Sequence, residues 1–326
     1  MQLQIGRAFL LLFLGLCGVA GWVACDGGNR VDAAEGPAAS AASSAAAPSV
    51  ANQPGFGKIW FQGKAELTSY RLEQARYGEV HPGQAVLIFV TEDFSRSKQV
   101  KLDDPASAGG DAEKVLKLNF TKKFDTGIYP YSMMMSVFTP LTAAPGVTRK
   151  VTTSSQEWCG HTFTQLNRQD GGYRVEQRSY FESEGDLNTT LPAALLEDEV
   201  WTLIRLRPEA LPLGSVELLP GTFYQRLRHQ PFTPLKAEAK LEAVAGEEGL
   251  QAYTLVYEGS VRRLTIRFRK AFPHEIESWE EAYTSGWGAG AKELVTRGVR
   301  QKRIWLDYWT RNNLADAELR QKLELQ

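Results

Sequence analysis

Sulfur and imidazole are scarce in this chain: three cysteines and four histidines among 326 residues. The cysteines, at 17, 25 and 159, are far apart, and no paired-cysteine spacing or HExxH pattern is present. A zinc site built on either motif is therefore excluded. Excess charge is missing as well, since Lys and Arg total 37 against 38 Asp and Glu, a formal charge of −1. That balance excludes the basic footprint of a nucleic-acid binder, and we expect neither a metal nor a cofactor. No period repeats along the chain in the manner of a solenoid or propeller.

One apolar run stands out, from Ala8 to about Val23 behind the single positive charge of Arg7. Spanning a bilayer takes about 20 apolar residues, so this shorter run reads as a signal peptide covering residues 1–24. It ends in Trp22-Val23-Ala24-Cys25. A small residue before a cysteine resembles the site where a lipoprotein signal peptidase cuts, with Trp22 standing where leucine is usual. The expectation is a lipidated Cys25 that anchors the chain to membrane. Residues 25–55 then continue almost without large apolar side chains and read as a tether. Some 30 flexible residues reach on the order of 30 Å. With Cys17 removed and Cys25 capped, Cys159 is left as the lone thiol, a residue type that is commonly buried as a small hydrophobe.

Residues 56–326 read as one β-rich globular domain. "AVLIFVTEDF" is a run of strong β-formers bounded by Pro82-Gly83. From Ala252 to Tyr257, through Glu258-Gly259-Ser260, to Val261–Phe268, the pattern is a hairpin, with Leu264, Ile266 and Phe268 alternating against polar neighbours. A second hairpin joins "VTTSSQEWCGHTFTQLN" to "YRVEQRSYF" through "RQDGG". Two helices are expected. In one, Thr190 acts as N-cap and Leu196, Val200, Leu203 and Ile204 recur at helical spacing before Pro208. In the other, Ala315, Leu319 and Leu323 close the chain. The fold class is thus mainly β, a large antiparallel sheet curved toward a half-barrel and crossed by one or two helices.

The stretch around Cys159 carries the sharpest chemical candidate. On a continuous strand Glu157, Cys159 and His161 would share one face, as do orienting acid, nucleophile and base in a thiol hydrolase. No glycine-rich elbow, neighbouring cation or cysteine-protease signature accompanies them, so the chain reads as a binding protein ahead of an enzyme. "FPHEIESWEE" gathers His274 with Glu275, Glu277, Glu280 and Glu281, and a solvated edge is the ordinary reading of such a run. Aromatic residues speak more for binding. "GIYPYSMMMSVF" offers Tyr129, Tyr131 and Met134, and Trp158 stands beside Cys159 and His161. These six are the expected ligand-binding residues. Trp279, Tyr283, Trp287, Trp305, Tyr308 and Trp309 extend the apolar supply. The three methionines in a row cannot all face one side of a strand.

"AELTSYRLEQARYGE", "AVLIFVTEDFS", "FDTGIYPYSMMMSVF", "SSQEWCGHTFTQLN" and Tyr308-Trp309 with Asn312 resemble a family of uncharacterised Gram-negative exported lipoproteins over nearly all of residues 60–326. Members are sometimes labelled "septum formation inhibitor Maf". Maf proteins proper are α/β nucleotide pyrophosphatases with an SxSPRR-type motif; this chain has "FSRSKQ" at residues 94–99 and a body that reads as β. The closing half also looks like the lipoprotein carrier and receptor architecture, a curved sheet cradling acyl chains. The resemblance implies an envelope lipoprotein, on the periplasmic side of the outer membrane, holding a hydrophobic, amphipathic or sugar ligand or a protein partner. The alternatives are a Cys159/His161 hydrolase and a structural envelope component.

Overall fold

The computed structural model describes residues 49–142 and 144–325, so the signal, Cys25 and tether expectations lie outside the described residues up to residue 48. Packing extends back to Val50, which is fully buried and donates its N–H to Leu141 O at 2.8 Å. After a short helix α1 (Phe56–Trp60) come eight strands: β1 (Ala65–Arg76), β2 (Glu79–Ser95), β3 (Ala112–Thr126), β4 (Tyr129–Pro140), β5 (Lys150–Glu157), β6 (Gly160–Gln169), β7 (Gly172–Ser179) and β8 (Leu187–Pro192). The two-residue β9 (Leu195–Leu196) leads into helix α2 (Glu197–Leu206), β10 (Gly214–Leu219) and helix α3 (Thr222–Arg228). Strands β11 (Leu235–Ala243), β12 (Leu250–Tyr257), β13 (Arg263–Arg269), β14 (Ile276–Ser285) and β15 (Lys292–Leu306) follow, then helix α4 (Glu318–Lys322).

All fifteen strands form one sheet, ordered β8-β7-β6-β5-β4-β3-β2-β1-β15-β14-β13-β12-β11-β10-β9. Neighbours are antiparallel except β9 and β10. Laid flat, such a sheet would span about 67 Å at the usual strand spacing. Yet its edges, β8 and β9, are joined by Ala193 and Ala194 alone, a link reaching about 11 Å at most. The sheet therefore curls until its edges nearly meet.

Alternation along the strands decides what the curl encloses. Leu264, Ile266 and Phe268 are buried as expected, and Met133 and Met135 point inward while Met134 is left exposed. Phe120, Trp201 and Trp279 meet edge to face at the centre, with ring centroids 5.1–5.6 Å apart. Gly298 is required here, because a Cβ on it would stand 2.2 Å from the Trp279 ring.

Helix α2 threads this interior. The helix does not open at Thr190: residues 187–192 pair as β8 with β7, and β-branched Thr189 and Thr190 suit that ladder. It begins instead at Glu197, where three acids in the first turn match the positive end of the helix dipole. Leu196, Val200, Leu203 and Ile204 are buried as the spacing required. All three acids are buried too. Glu197 accepts from Arg262 (2.5 and 2.7 Å) and Tyr257 (2.5 Å). Asp198 accepts from the Thr222 N–H at 3.1–3.2 Å, and Glu199 from the Gly146 N–H at 2.7 Å. Arg262 also holds Glu281 at 2.6 Å. At the other end of the helix Arg205 grips Glu66 with two bonds of 2.6 and 2.8 Å. The space left among these side chains is about 20 Å³, room for a single water. The closing helix is shorter than its pattern, a 3₁₀ turn and then α4, and of its spaced residues only Leu323 is buried.

Two outcomes follow. Replacing Glu66 by Ala strands the buried Arg205 charge and should lower unfolding free energy by about 3–5 kcal/mol, as read by denaturant titration; a loss under about 1 kcal/mol would show that the pair does not hold the helix. Burial, and then the neighbouring Glu197 charge, lift Asp198 from 3.8 to about 7. Folded protein thus binds more protons than unfolded between those values, and this group's stabilisation is complete below pH 3.8 and is lost as pH rises through about 7. Asp198→Asn should flatten the fall in Tm over that range relative to wild type, a difference that cancels the opposite contribution of His274, whose pKa burial lowers.

Candidate functional site

The curl places every odd-numbered hairpin of the first half at one end, so residues far apart in sequence meet across the outer face. Five strands supply one row there: Arg71 on β1 faces Gln84, which faces Lys123, then Ser132, then Gln156 on β5. Above this row lies a groove of about 890 Å³, bounded by Trp158 at one side and by Gln301 and Glu324 at the other. Trp158 is 64% exposed. Amide and hydroxyl groups that both donate and accept, two cations, the carboxylates of Asp125, Glu157 and Glu324, and an indole face suit a polar, extended ligand with some apolar surface.

The expected site residues divide around this groove. Glu157 and Gly160 form the last pair of a hairpin, and Trp158-Cys159 are its two-residue turn. The single long strand expected over 157–165 is therefore corrected. Glu157 pairs with Tyr131, on the inward face, whereas His161 pairs with Gln156, on the outward face. The acid, thiol and imidazole do not share a face. Gly160 opens the returning strand, and a side chain is excluded there because a Cβ would stand 2.7 Å from the Tyr180 ring. Nor is Cys159 the buried small residue its isolation suggested; it is exposed.

Around the turn the aromatic residues do gather. Tyr129 Oη accepts from the Cys159 N–H at 2.7 Å, and its ring lies 6.0 Å from Trp158 and 5.4 Å from Tyr131. Tyr131 is 3% exposed and stacks on Phe124 at 4.8 Å. Burial, followed by the Cys159 thiol and the Glu157 side chain, raises the Tyr129 hydroxyl pKa above the ordinary value, against the lowering effect of the Cys159 N–H. Met134 lies on the outer face, one residue beyond the groove wall.

Other candidates disperse. Trp279 and Tyr283 are core, Trp305 packs on Trp60 at 5.5 Å, and Trp287 and Trp309 are exposed at different connections. The acids near His274 are taken up by arginines: Glu275 by Arg300 (3.0 Å), Glu277 by Arg269 (2.6 Å), Glu280 by Arg297 (3.1 Å) and Glu281 by Arg262. Among the described residues no group of three or more His, Cys, Asp or Glu is placed to hold a metal ion. No described helix is long and apolar enough to cross a membrane. Sequence reasoning missed Arg71, Gln84, Gln156 and Gln301, which become neighbours only through strand register.

No protein-family model matches the chain, and no curated protein matches it. The fold is similar to the crystal structure of a β-barrel-like protein of a domain of unknown function, DUF1849, from Brucella abortus, with a TM-score of 0.43 and 10% sequence identity, covering 74% of this chain and 98% of that one.

Proposed function

We propose that this chain is a non-enzymatic binding or accessory protein of the cell envelope, and that its ligand lies in the outer groove over β1–β5. The observation that carries the reading is the groove itself, about 890 Å³ with Trp158 at its rim and amide side chains along its floor. A volume of that size suits a small ligand or a stretch of polymer. Its lining favours a sugar chain over an acyl chain: glutamine amides and Ser132 match hydroxyl groups, and the indole matches the C–H face of a sugar ring. Beside Trp201 and Trp279, where α2 meets the sheet, the cavity has room for about one water, too little for an acyl chain, which supports the same choice.

Export and the lipid anchor at Cys25 belong to this proposal and rest on the sequence pattern of residues 1–55, and membership of the Gram-negative lipoprotein family rests on the motifs within residues 60–326. The hydrolase reading lacks support from the geometry, because Glu157 and His161 face opposite sides of the sheet.

Titrating the protein with soluble envelope-type oligosaccharides, followed by tryptophan fluorescence and native mass spectrometry, tests the proposal. Trp158→Ala should weaken binding roughly tenfold, the effect of losing about 1.4 kcal/mol, with Gln156→Ala in the same direction, while Cys159→Ala binds as wild type. Equal affinity of wild type and Trp158→Ala, or no saccharide bound by either, refutes it. Turnover of the sugar that disappears with Cys159→Ala would put the hydrolase in its place.

A further inference from the structure

A second concavity, of about 380 Å³, lies between α3, the β12–β13 turn and the end of β14. Its lining holds two arginines, Arg228 and Arg262, together with Tyr224, Gln230, Ser260 and Thr284, and it contains no carboxylate. Every polar group there can donate a hydrogen bond. The Ser260 hydroxyl oxygen accepts from the Arg262 N–H at 3.2 Å, which leaves its proton free to point outward. Arg262 forms the floor beneath the Tyr224 ring, 3.8 Å from the centroid. It is 1% exposed, and its Nε has no hydrogen-bond partner.

Arg262 is neutralised from within by Glu197 and Glu281, so the charge without a carboxylate partner here is that of Arg228 and its neighbour Arg76. Arg228 donates to Gly286 O at 3.1 Å and lies over the Trp287 ring at 5.2 Å. Arg76 lies 5.4 Å from the same ring centroid and is 5% exposed. Its guanidinium meets Leu227 O and the hydroxyls of Tyr77 (3.2 Å) and Tyr131 (3.3 Å). Among the described residues neither guanidinium has a carboxylate oxygen within 4.0 Å. The nearby acid Glu184 is taken by Arg226 and by His229 at 2.5 Å, and Glu157 bears on the Tyr131 hydroxyl. Arg76 is buried and Arg228 half-buried; a cation withdrawn from water without a counter-charge is costly, and two guanidiniums flanking one indole leave a place for an anion from outside.

We propose that this concavity is a binding site for a phosphate-class oxyanion, with Arg228 as its direct ligand, the hydroxyls of Ser260 and Tyr224 as further donors, and Arg76 supplying field from behind Trp287. The site is distinct from the outer groove: Trp158 and Gln156 line one and Arg228 the other. Either can fail without the other.

The full chain is the material for the test. Thermal unfolding in sodium phosphate against sodium chloride of equal ionic strength, with calorimetric titration of inorganic phosphate, reads the free anion. Flotation with phosphatidylglycerol vesicles against phosphatidylcholine vesicles reads a phosphodiester headgroup. A site for free phosphate raises Tm in phosphate alone, and one for a headgroup gives selective flotation. In either case Arg228→Gln should weaken binding tenfold or more, as expected for a lost charge-assisted hydrogen bond. Lys98→Gln, an equal charge change on the exposed β2–β3 connection, should bind as wild type. Arg76→Gln should be at least as stable as wild type in chloride and respond less to the anion. The proposal is overturned if phosphate and chloride give the same Tm and neither vesicle binds, or if Arg228→Gln and Lys98→Gln lose affinity equally.

Discussion

Three consecutive carboxylates that have left water must each find a donor, and this requirement governs how the molecule closes. Glu197, Asp198 and Glu199 draw theirs from separate stretches of chain: Arg262 and Tyr257 beside the β12–β13 turn, Thr222 at the start of α3, and Gly146 between β4 and β5. No flat sheet could bring those groups to one helix turn. Seating α2 and curling the sheet are thus a single event, and the Arg205–Glu66 pair repeats the logic at the far end of the helix. Each buried carboxylate thus has a donor, although Arg262 Nε and Glu199 Oε2 are left without partners among the described residues, and a polar network of this kind specifies one arrangement where apolar packing alone would tolerate several.

Because α2 and the Phe120–Trp201–Trp279 cluster occupy the inside, the open concavities lie on the outside and at the end where the hairpin turns collect. The outer groove and the arginine-lined concavity belong to that surface, and Tyr131 stands between them with its ring packed on Phe124 and its hydroxyl against Arg76. Core packing and the lining of the outer groove meet in that one side chain.

What could be read from the sequence was whatever repeats with a short period. Leu264, Ile266 and Phe268 announce a strand and its buried side, and the methionine triplet splits inward and outward as strand geometry demands. The apolar spacing of Leu196, Val200 and Leu203 marks a helix correctly, but its cap lies at Leu196, six residues beyond Thr190, because Thr190 and Pro192 mimic a helix start while serving an edge strand. Trp158-Cys159 escaped notice as a turn for a related reason: β-branched neighbours on both sides conceal a break signalled only by Gly160. The groove was out of reach altogether. Arg71, Gln84, Lys123, Ser132 and Gln156 are an ordinary scatter of polar residues until five strands are set in register.

The Ala193–Ala194 link between the outermost strands bears on association with other chains. An open sheet ordinarily presents two distant rims of unpaired amides and carbonyls, each a template for an incoming strand. Here so short a clasp draws both rims to the same side of the molecule, where β9 is two residues long and β8 ends in Pro192. A lengthened clasp would let those rims separate, and a sheet now folded on itself would gain two places at which another copy could continue it.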